Sequence, residues 1–306
     1  MKQSVRRLLD VCEFPLPGTV VALAVSGGPD SLGLLLLARE AELVVTVHHV
    51  DHHARSTSGQ DAETVRALCD RLGVTCRVHD VVVEPGGNFE ARARAQRRRV
   101  LPPGSLTGHT MDDLAETVLL NMLRGAGVDG LSPMVNDPSK PLRALRRQEL
   151  HDYVLDEDVV PVHDETNDDP AYRRNRVRHE LIPLMNQVAG RDVVPLLARQ
   201  AEVLFEDRAW LDFIGIDDAA RDVSDADCRE LSGWPRARLR RWLRAKLFTV
   251  DDQNERHPPS AAEVERATRV VVGEAVATEL SGGRRLARRA QRLSLEDDST
   301  TLAGHG

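Results

Sequence analysis

Hydrophobic positions in the first half of the chain fall in short continuous runs, and the stretches between them carry helical spacing. VVALAV, from Val20, has the form of a strand buried on both faces, and LGLLLLARE, from Leu32, that of a packed helix. The alternation continues. LVVTVHHVD (Leu43 to Asp51) predicts a second strand, the region around Ala62 to Leu72 an amphipathic helix, and CRVHDVVV (Cys76 to Val83) a third strand. An arginine-rich helix follows over Asn88 to Val100, then a short strand over Ser105 to Gly108, then a helix from Met111 to Leu123 stopped by Gly125 and Gly127. Strands alternating with helices predict an α/β fold built on a mainly parallel, doubly wound sheet with right-handed crossovers. Ligands of such sheets sit at the carboxyl ends of the strands.

Beyond Pro141 the pattern turns to helices interrupted by VVPVHDETNDDP, and Arg191 to Phe213 predicts one long helix. From about Asp217 a charged helical stretch leads into VATELSGGRRLARRAQRLSLE, where Gly282 and Gly283 stand at the turn of a hairpin. With 306 residues, two domains are expected: a catalytic unit over 1–190, a linking helix over 191–216 and a smaller α+β unit over 217–306.

Chemistry enters where the first strand ends. The turn Ser26, Gly27, Gly28, Pro29, Asp30, Ser31 places proline at the first helical position, where its missing N–H is no loss. Two glycines let backbone approach a ligand closely, and the helix-start amides present the positive end of the dipole. The lysine of a GxxxxGK[ST] loop is missing. Asp30 stands in the first turn instead, and a carboxylate beside phosphate calls for a bridging Mg²⁺ ion. The loop therefore predicts a site for pyrophosphate and metal.

A second group lies in TGHTMDDLAETVLLNMLRGAG, where His109, Asp112, Asp113 and Glu116 crowd a helix start at the end of another strand. Their spacing puts Asp113 and Glu116 on one side of the first turns, suited to Mg²⁺ or an ammonium group. Acids at such a position also complement the helix dipole with no ligand involved. His48, His49, His52 and His53 lack the companions of a metal site and are read as polar residues near the nucleotide.

Composition narrows the classes. The four cysteines form no CxxC pair, which disfavours iron–sulfur or zinc sites. The N-terminal stretch lacks an apolar core, so neither secretion nor membrane insertion is expected, and the location is expected to be cytoplasmic. Net charge is −7, yet the arginines are clustered: Arg92 to Arg99, Arg173 to Arg178, Arg236 to Arg244, and Arg284 to Arg292. Clusters of that kind suit a polyanion such as RNA, or else form solvated helix faces.

Together these motifs resemble the N-type ATP pyrophosphatase (PP-loop) superfamily and, within it, the tRNA(Ile)-lysidine synthetases. The resemblance rests on SGGPDS, HVDHHAR, FEARARAQRR, TGHTMDDLAET, RGAGVDGL, KPL, HDETN and RRNRVRHELIPLM, in that order. His53, Arg98 and Thr166 depart from the pattern, standing where the family tends to have glycine, tyrosine and serine. The resemblance implies an adenine nucleotide alpha hydrolase-like domain that joins free L-lysine to C2 of the wobble cytidine of a tRNA(Ile) with a CAU anticodon. ATP would give AMP and pyrophosphate through an adenylated cytidine. It implies Asp30, Asp113 and Glu116 as catalytic residues, with Asp30 on Mg²⁺ and Asp113 and Glu116 on the lysine. His109 and Arg94 are implied at the nucleotide. Arg174, Arg178, Arg236, Arg240 and Arg244 are expected to grip the tRNA, and a homodimer is compatible with the sequence. Alternative readings are a PP-loop tRNA cytidine thiolase, a small-molecule ATP-dependent amide ligase and a non-enzymatic RNA-binding module.

Overall fold

The computed structural model describes residues 3–51, 58–81, 89–162, 169–215, 218, 220–224, 226–251 and 256–297. His52, His53 and Thr166 lie outside the described residues, as does the side chain of Arg94. Two compact units divide between Glu206 and Asp207, inside the helix expected to link them.

The first unit is built on strands β1 (Val20–Ala24), β2 (Val44–Asp51), β3 (Thr75–Asp80) and β4 (Leu106–Thr107). They form one parallel sheet in the order β3-β2-β1-β4. Its helices are α1 (Gln3–Leu9), α2 (Pro29–Glu40), α3 (Ser58–Leu72), α4 (Phe89–Val100), α5 (Met111–Leu123), α6 (Val128–Leu131), α7 (Arg147–Asp156), α8 (Arg173–Arg176) and α9 (Ile182–Ala189). A π-helical turn, Val177–Leu181, joins α8 to α9, and α10 (Val194–Ile214) follows. The expected α/β class is observed.

Strand order explains where a ligand can sit. The chain steps outward from β1 to β2 to β3, then returns to the other side of β1 as β4. Right-handed crossovers put α2 and α3 on one face and α4 on the other, and the direction reverses between β1 and β4. The loops leaving those two strands therefore border one crevice. Aliphatic side chains fill the core beneath it, including Leu23, Leu32, Leu35, Val47, Leu106, Leu150 and Val154. Helices α2 and α7 pack closely because Gly33 is small: a Cβ there would lie 2.9 Å from Leu150 Cδ2.

Helix α5 is covered on two sides. Ala115 and Leu119 pack with Val177, Ile182 and Val194, while Leu114 and Val118 pack with Ala198 and Ala201 of α10. The first half of the expected linking helix is thus part of the first unit's core.

The second unit contains α11 (Cys228–Ser232), α12 (Arg236–Lys246) and α13 (Ala261–Val272). Its strands are β5 (Thr249–Val250), β6 (Arg256–His257), β7 (Ala277–Leu280), β8 (Arg284–Arg289) and β9 (Arg292–Asp297). The turn at Gly282 and Gly283 joins β7 to β8 as expected, Leu280 pairing with Arg284. A second reversal at Ala290 and Gln291 was not legible, because two non-glycine residues take φ of 47° and 67° there. Asn or Gly would have signalled that turn.

Candidate active site

The loop after β1 is shaped around the Ser31 hydroxyl. It accepts hydrogen bonds from the amides of Ser26 (3.1 Å) and Gly27 (3.2 Å) and donates to the Gly28 carbonyl (2.9 Å). Gly27 takes φ +93°, a conformation that L side chains rarely adopt, and its carbonyl accepts from Val162 N–H at 3.0 Å. Gly28 caps α2 without any side-chain partner, so no side chain of the protein covers this helix start. The space over Gly28 is open, with only Ser26 Oγ, at 3.8 Å, within 4 Å of where a Cβ would stand. Pro29 and Asp30 occupy the first turn as expected.

From β4 the chain turns through Gly108 and His109 into α5. His109 Nδ1 shares a 2.8 Å hydrogen bond with Thr107 Oγ1, which orients the ring at the crevice edge. Thr110 and Asp113 form a capping box. Asp113 Oδ2 accepts from the Thr110 amide (2.8 Å) and hydroxyl (2.9 Å).

Arg147, at the start of α7, joins α2 to α5. Its Nε donates to Asp30 Oδ2 (3.2 Å), its Nη1 to Glu116 Oε1 (3.0 Å) and its Nη2 to Asp113 Oδ1 (3.0 Å). Arg174 bridges the same two α5 acids, through Nε to Glu116 Oε2 (2.7 Å) and Nη2 to Asp113 Oδ1 (2.8 Å). Arg178 adds Nε to Glu116 Oε1 (2.8 Å). The three arginines saturate Glu116, whose exposure is 0%. Alongside, Asp112 holds the Arg146 fork at 3.0 and 3.1 Å and the Arg147 amide at 2.8 Å.

The electrostatics follow from this pairing. Burial alone would raise Asp113, but the guanidinium groups of Arg147 and Arg174 hold it down to about 2. Asp30 goes the other way: burial pushes it up to about 6, against the pull of Arg147. Burial would lower Arg147, yet Asp113, Glu116 and Asp30 raise it above its ordinary value.

Asp30 Oδ1 is buried and makes no hydrogen bond. A lone carboxylate oxygen at the positive end of α2 fits Mg²⁺, which binds through one or two carboxylates together with phosphate oxygens. Among the described residues no group of three or more His, Cys, Asp or Glu is arranged to hold a metal ion by protein ligands alone. The histidine doublet is spent structurally: His48 stacks on His79 with ring nitrogens 2.9 Å apart, and His49 Nδ1 bonds to the Val25 carbonyl at 2.9 Å.

Through Arg147 the structure links Asp30, and with it the loop of Ser26, Gly27, Gly28 and Ser31, to Asp113 and Glu116. Arg174 and Arg178, expected to grip RNA, point instead at these acids, because a buried carboxylate requires a cation beside it. The key residue that sequence reasoning missed is Arg147. Its signal was the acid pair itself, since Asp113 and Glu116 on a helix buried on two sides demand internal partners. In the second unit Arg236 pairs with Glu265, Arg244 Nη1 reaches the Pro259 carbonyl (3.4 Å), and Arg240 is exposed.

A strand-to-helix pyrophosphate loop at the switch point of a parallel sheet defines the class, and the PP-loop domain matches residues 1–185. Three proteins called tRNA(Ile)-lysidine synthase are similar over most of their length. That of Thermobifida fusca (strain YX) is 36% identical over 265 residues, 80% of each chain. Those of Leifsonia xyli subsp. xyli and Mycolicibacterium paratuberculosis are 36% and 37% identical, covering 69% and 74% of this chain and 68% and 73% of theirs. The chain belongs to the tRNA(Ile)-lysidine synthase family of PP-loop proteins. No helix among the described residues is long and apolar enough to cross a membrane.

Proposed function

We propose that this chain ligates free L-lysine to C2 of the wobble cytidine of a tRNA(Ile) bearing a CAU anticodon, with ATP cleaved to AMP and pyrophosphate. The observation that carries the reading is the pairing of an open pyrophosphate loop with a buried acid group one strand away, linked by Arg147. Family membership supports the substrate class, and the geometry supports the division of labour.

In the first step the C2 carbonyl oxygen of cytosine attacks the α-phosphorus of ATP, and pyrophosphate leaves toward the loop. The positive end of α2 and the Ser26 hydroxyl receive its charge, while Ser31, whose proton goes to the Gly28 carbonyl, holds the loop in shape. Asp30 Oδ1 would hold Mg²⁺, which when bound neutralises phosphate charge. In the second step the ε-amino group, its ammonium proton lost to water, attacks C2; the C2–O bond breaks, AMP departs with the electron pair, and the proton released from the new C–N nitrogen passes to solvent. Asp113 and Glu116 recognise the ammonium charge of the amino acid. The guanidinium groups beside Asp113 favour its charged form, which suits binding of a cation.

His109, fixed beside the crevice, and Arg94 are assigned to the nucleotide. The 217–306 unit, with Arg236, Arg240 and Arg244, is assigned to tRNA binding, a role that Arg174 and Arg178 share only if they release their carboxylates. A thiolase reading gains nothing from the cysteines: Cys12, Cys69 and Cys76 pack in or against the core of the first unit, and Cys228 in that of the second.

The test is incubation of the purified protein with ATP, Mg²⁺, labelled lysine and a CAU-anticodon tRNA(Ile) transcript. Label is expected in the tRNA with CAU and absent when the wobble base is changed to uridine. Failure to label, with sulfur transfer or a small-molecule amide as product, overturns the reading.

A further inference from the structure

Arg174 stands where the amino acid's cation belongs. Its guanidinium bridges Asp113 and Glu116 at 2.8 and 2.7 Å, the two carboxylates that the proposed function assigns to lysine. No oxygen of either is idle: Asp113 Oδ2 caps α5, Asp113 Oδ1 takes Arg147 and Arg174, and both oxygens of Glu116 take guanidinium N–H groups. An incoming ammonium group can reach this pair only by replacing a cation already there.

The three arginines are not equally replaceable. Arg147 is tied to three carboxylates on two helices, and its side chain is 22% exposed. Among the described residues Arg178 pairs with Glu116 and with no second carboxylate. Arg174 is the most exposed at 31%, bridges both acids and lies in the run Arg173, Arg174, Arg176, Arg178, which has the composition of a phosphate-contacting segment.

We propose that Arg174 is an exchangeable counter-cation that sets when lysine binds: it neutralises Asp113 and Glu116 in the free protein and yields them to lysine on turning to a tRNA phosphate. The exchange is balanced in charge, one cation for another, so the buried Glu116 is never left unpaired. Arg147 stays in place throughout and keeps the acids aligned with Asp30. A consequence is order. Lysine is kept from the site until the RNA that it will modify is present, and by reciprocity lysine tightens tRNA binding by the same factor.

This inference rests on the reading that Asp113 and Glu116 hold lysine, and the experiment separates the two. Binding of labelled L-lysine is measured by equilibrium dialysis for the full chain, with and without a CAU-anticodon tRNA(Ile) transcript. The wild type, R174Q, R174K, R176Q and D113N are compared. Arg176 pairs with Glu180 outside the cluster and serves as the control. The wild type is expected to bind lysine weakly alone and about tenfold or more tightly with tRNA, within the usual range of coupling between sites. R174Q is expected to bind lysine without tRNA as the wild type does with it, R174K to fall between them, and R176Q to match the wild type. If tRNA leaves wild-type lysine affinity unchanged, or if folded R174Q and R174K both bind lysine no better than the wild type, the exchange is refuted. Should R174Q not fold, R174K and the wild-type response to tRNA decide. Unaltered lysine binding by D113N overturns the underlying assignment instead.

Discussion

Gly108 lies against the backbone of Asp30: a Cβ at position 108 would stand 2.7 Å from the Asp30 carbonyl carbon and 3.0 Å from the Ser31 amide nitrogen. The turn leaving β4 thus rests on the first turn of α2, and the pyrophosphate loop keeps its shape only while that contact is bare. Backbone cannot step aside as a flexible side chain can. G108A is expected to destabilise the protein by about 1–3 kcal/mol, the usual cost of overpacking. It should also weaken ATP binding, because the atoms displaced belong to the loop itself. Urea unfolding and calorimetric titration with ATP check both effects; unchanged nucleotide affinity would count against this contact.

Glu116 has 0% exposure and holds three guanidinium groups. Removing one partner of a buried charge group costs about 3–5 kcal/mol, since the remaining charges stay in low dielectric. E116A should therefore lower the urea midpoint strongly as well as abolish lysine incorporation. E116Q, which keeps the shape but loses the charge, should be less destabilised and still inactive. A variant that keeps wild-type stability would show that the cluster is more hydrated than its burial indicates.

The second unit has its own buried carboxylate. Glu263 Oε2 accepts from the Ser260 amide (2.8 Å) and hydroxyl (2.7 Å), and Oε1 from the Ser281 amide and hydroxyl (both 2.7 Å). It fastens the start of α13 to the β7–β8 turn. Burial would raise its pKa, but the Ser281 and Ser260 hydrogen bonds lower it to about 2 from an ordinary 4.5. A depressed acid contributes stability above its unfolded value and loses it as pH falls through the folded one. The contribution should be complete above about pH 4.5 and disappear toward pH 2, and E263Q should remove it at neutral pH. Denaturation of wild type and E263Q across that window tests the sign: a difference that grows on acidification contradicts it.

Arginines of the second unit divide into structural and available. Arg284 donates to the Leu247 (2.7 Å) and Phe248 (3.0 Å) carbonyls at the end of α12, and Arg288 to the Val271 carbonyl (2.9 Å) in the last turn of α13. These satisfy helix-end carbonyls and favour the dipole. R284A is expected to destabilise by about 1–3 kcal/mol, the range for hydrogen bonds to a charged donor. R240E, on an exposed position of α12, should instead weaken tRNA binding at unchanged stability and reduce the salt slope by about 1. Filter binding at several salt concentrations, beside a melting curve, distinguishes the two classes.

How much of this was legible in the sequence follows the range of the interactions. The parallel sheet and the loop were legible because an apolar run entering SGGPDS is a local pattern, set by strand burial and helix-start chemistry. Asp113 and Glu116 were legible as a pair from their spacing on α5. The partners were not. Arg147 lies 117 positions from Asp30, and only the fold sets its guanidinium between them. Arginine clusters read as RNA-facing turned out to be partly internal, since composition gives the sign of a charge but not the direction of its side chain. Arg174 and Arg284 show this most clearly, one bound to buried acids and the other to helix-end carbonyls. The turn at Ala290 and Gln291 escaped because its residues carry no turn signal.

The central claim is that the loop from Ser26 to Ser31 receives pyrophosphate while AMP is left on a nucleobase. The most direct measurement is the identity of the nucleotide products when tRNA(Ile), lysine and ATP are turned over by the wild type and by D30A. The account predicts AMP and pyrophosphate in equal amounts, one of each per lysine incorporated, and loss of all three in D30A. ADP with orthophosphate, or undiminished turnover in D30A, would contradict it.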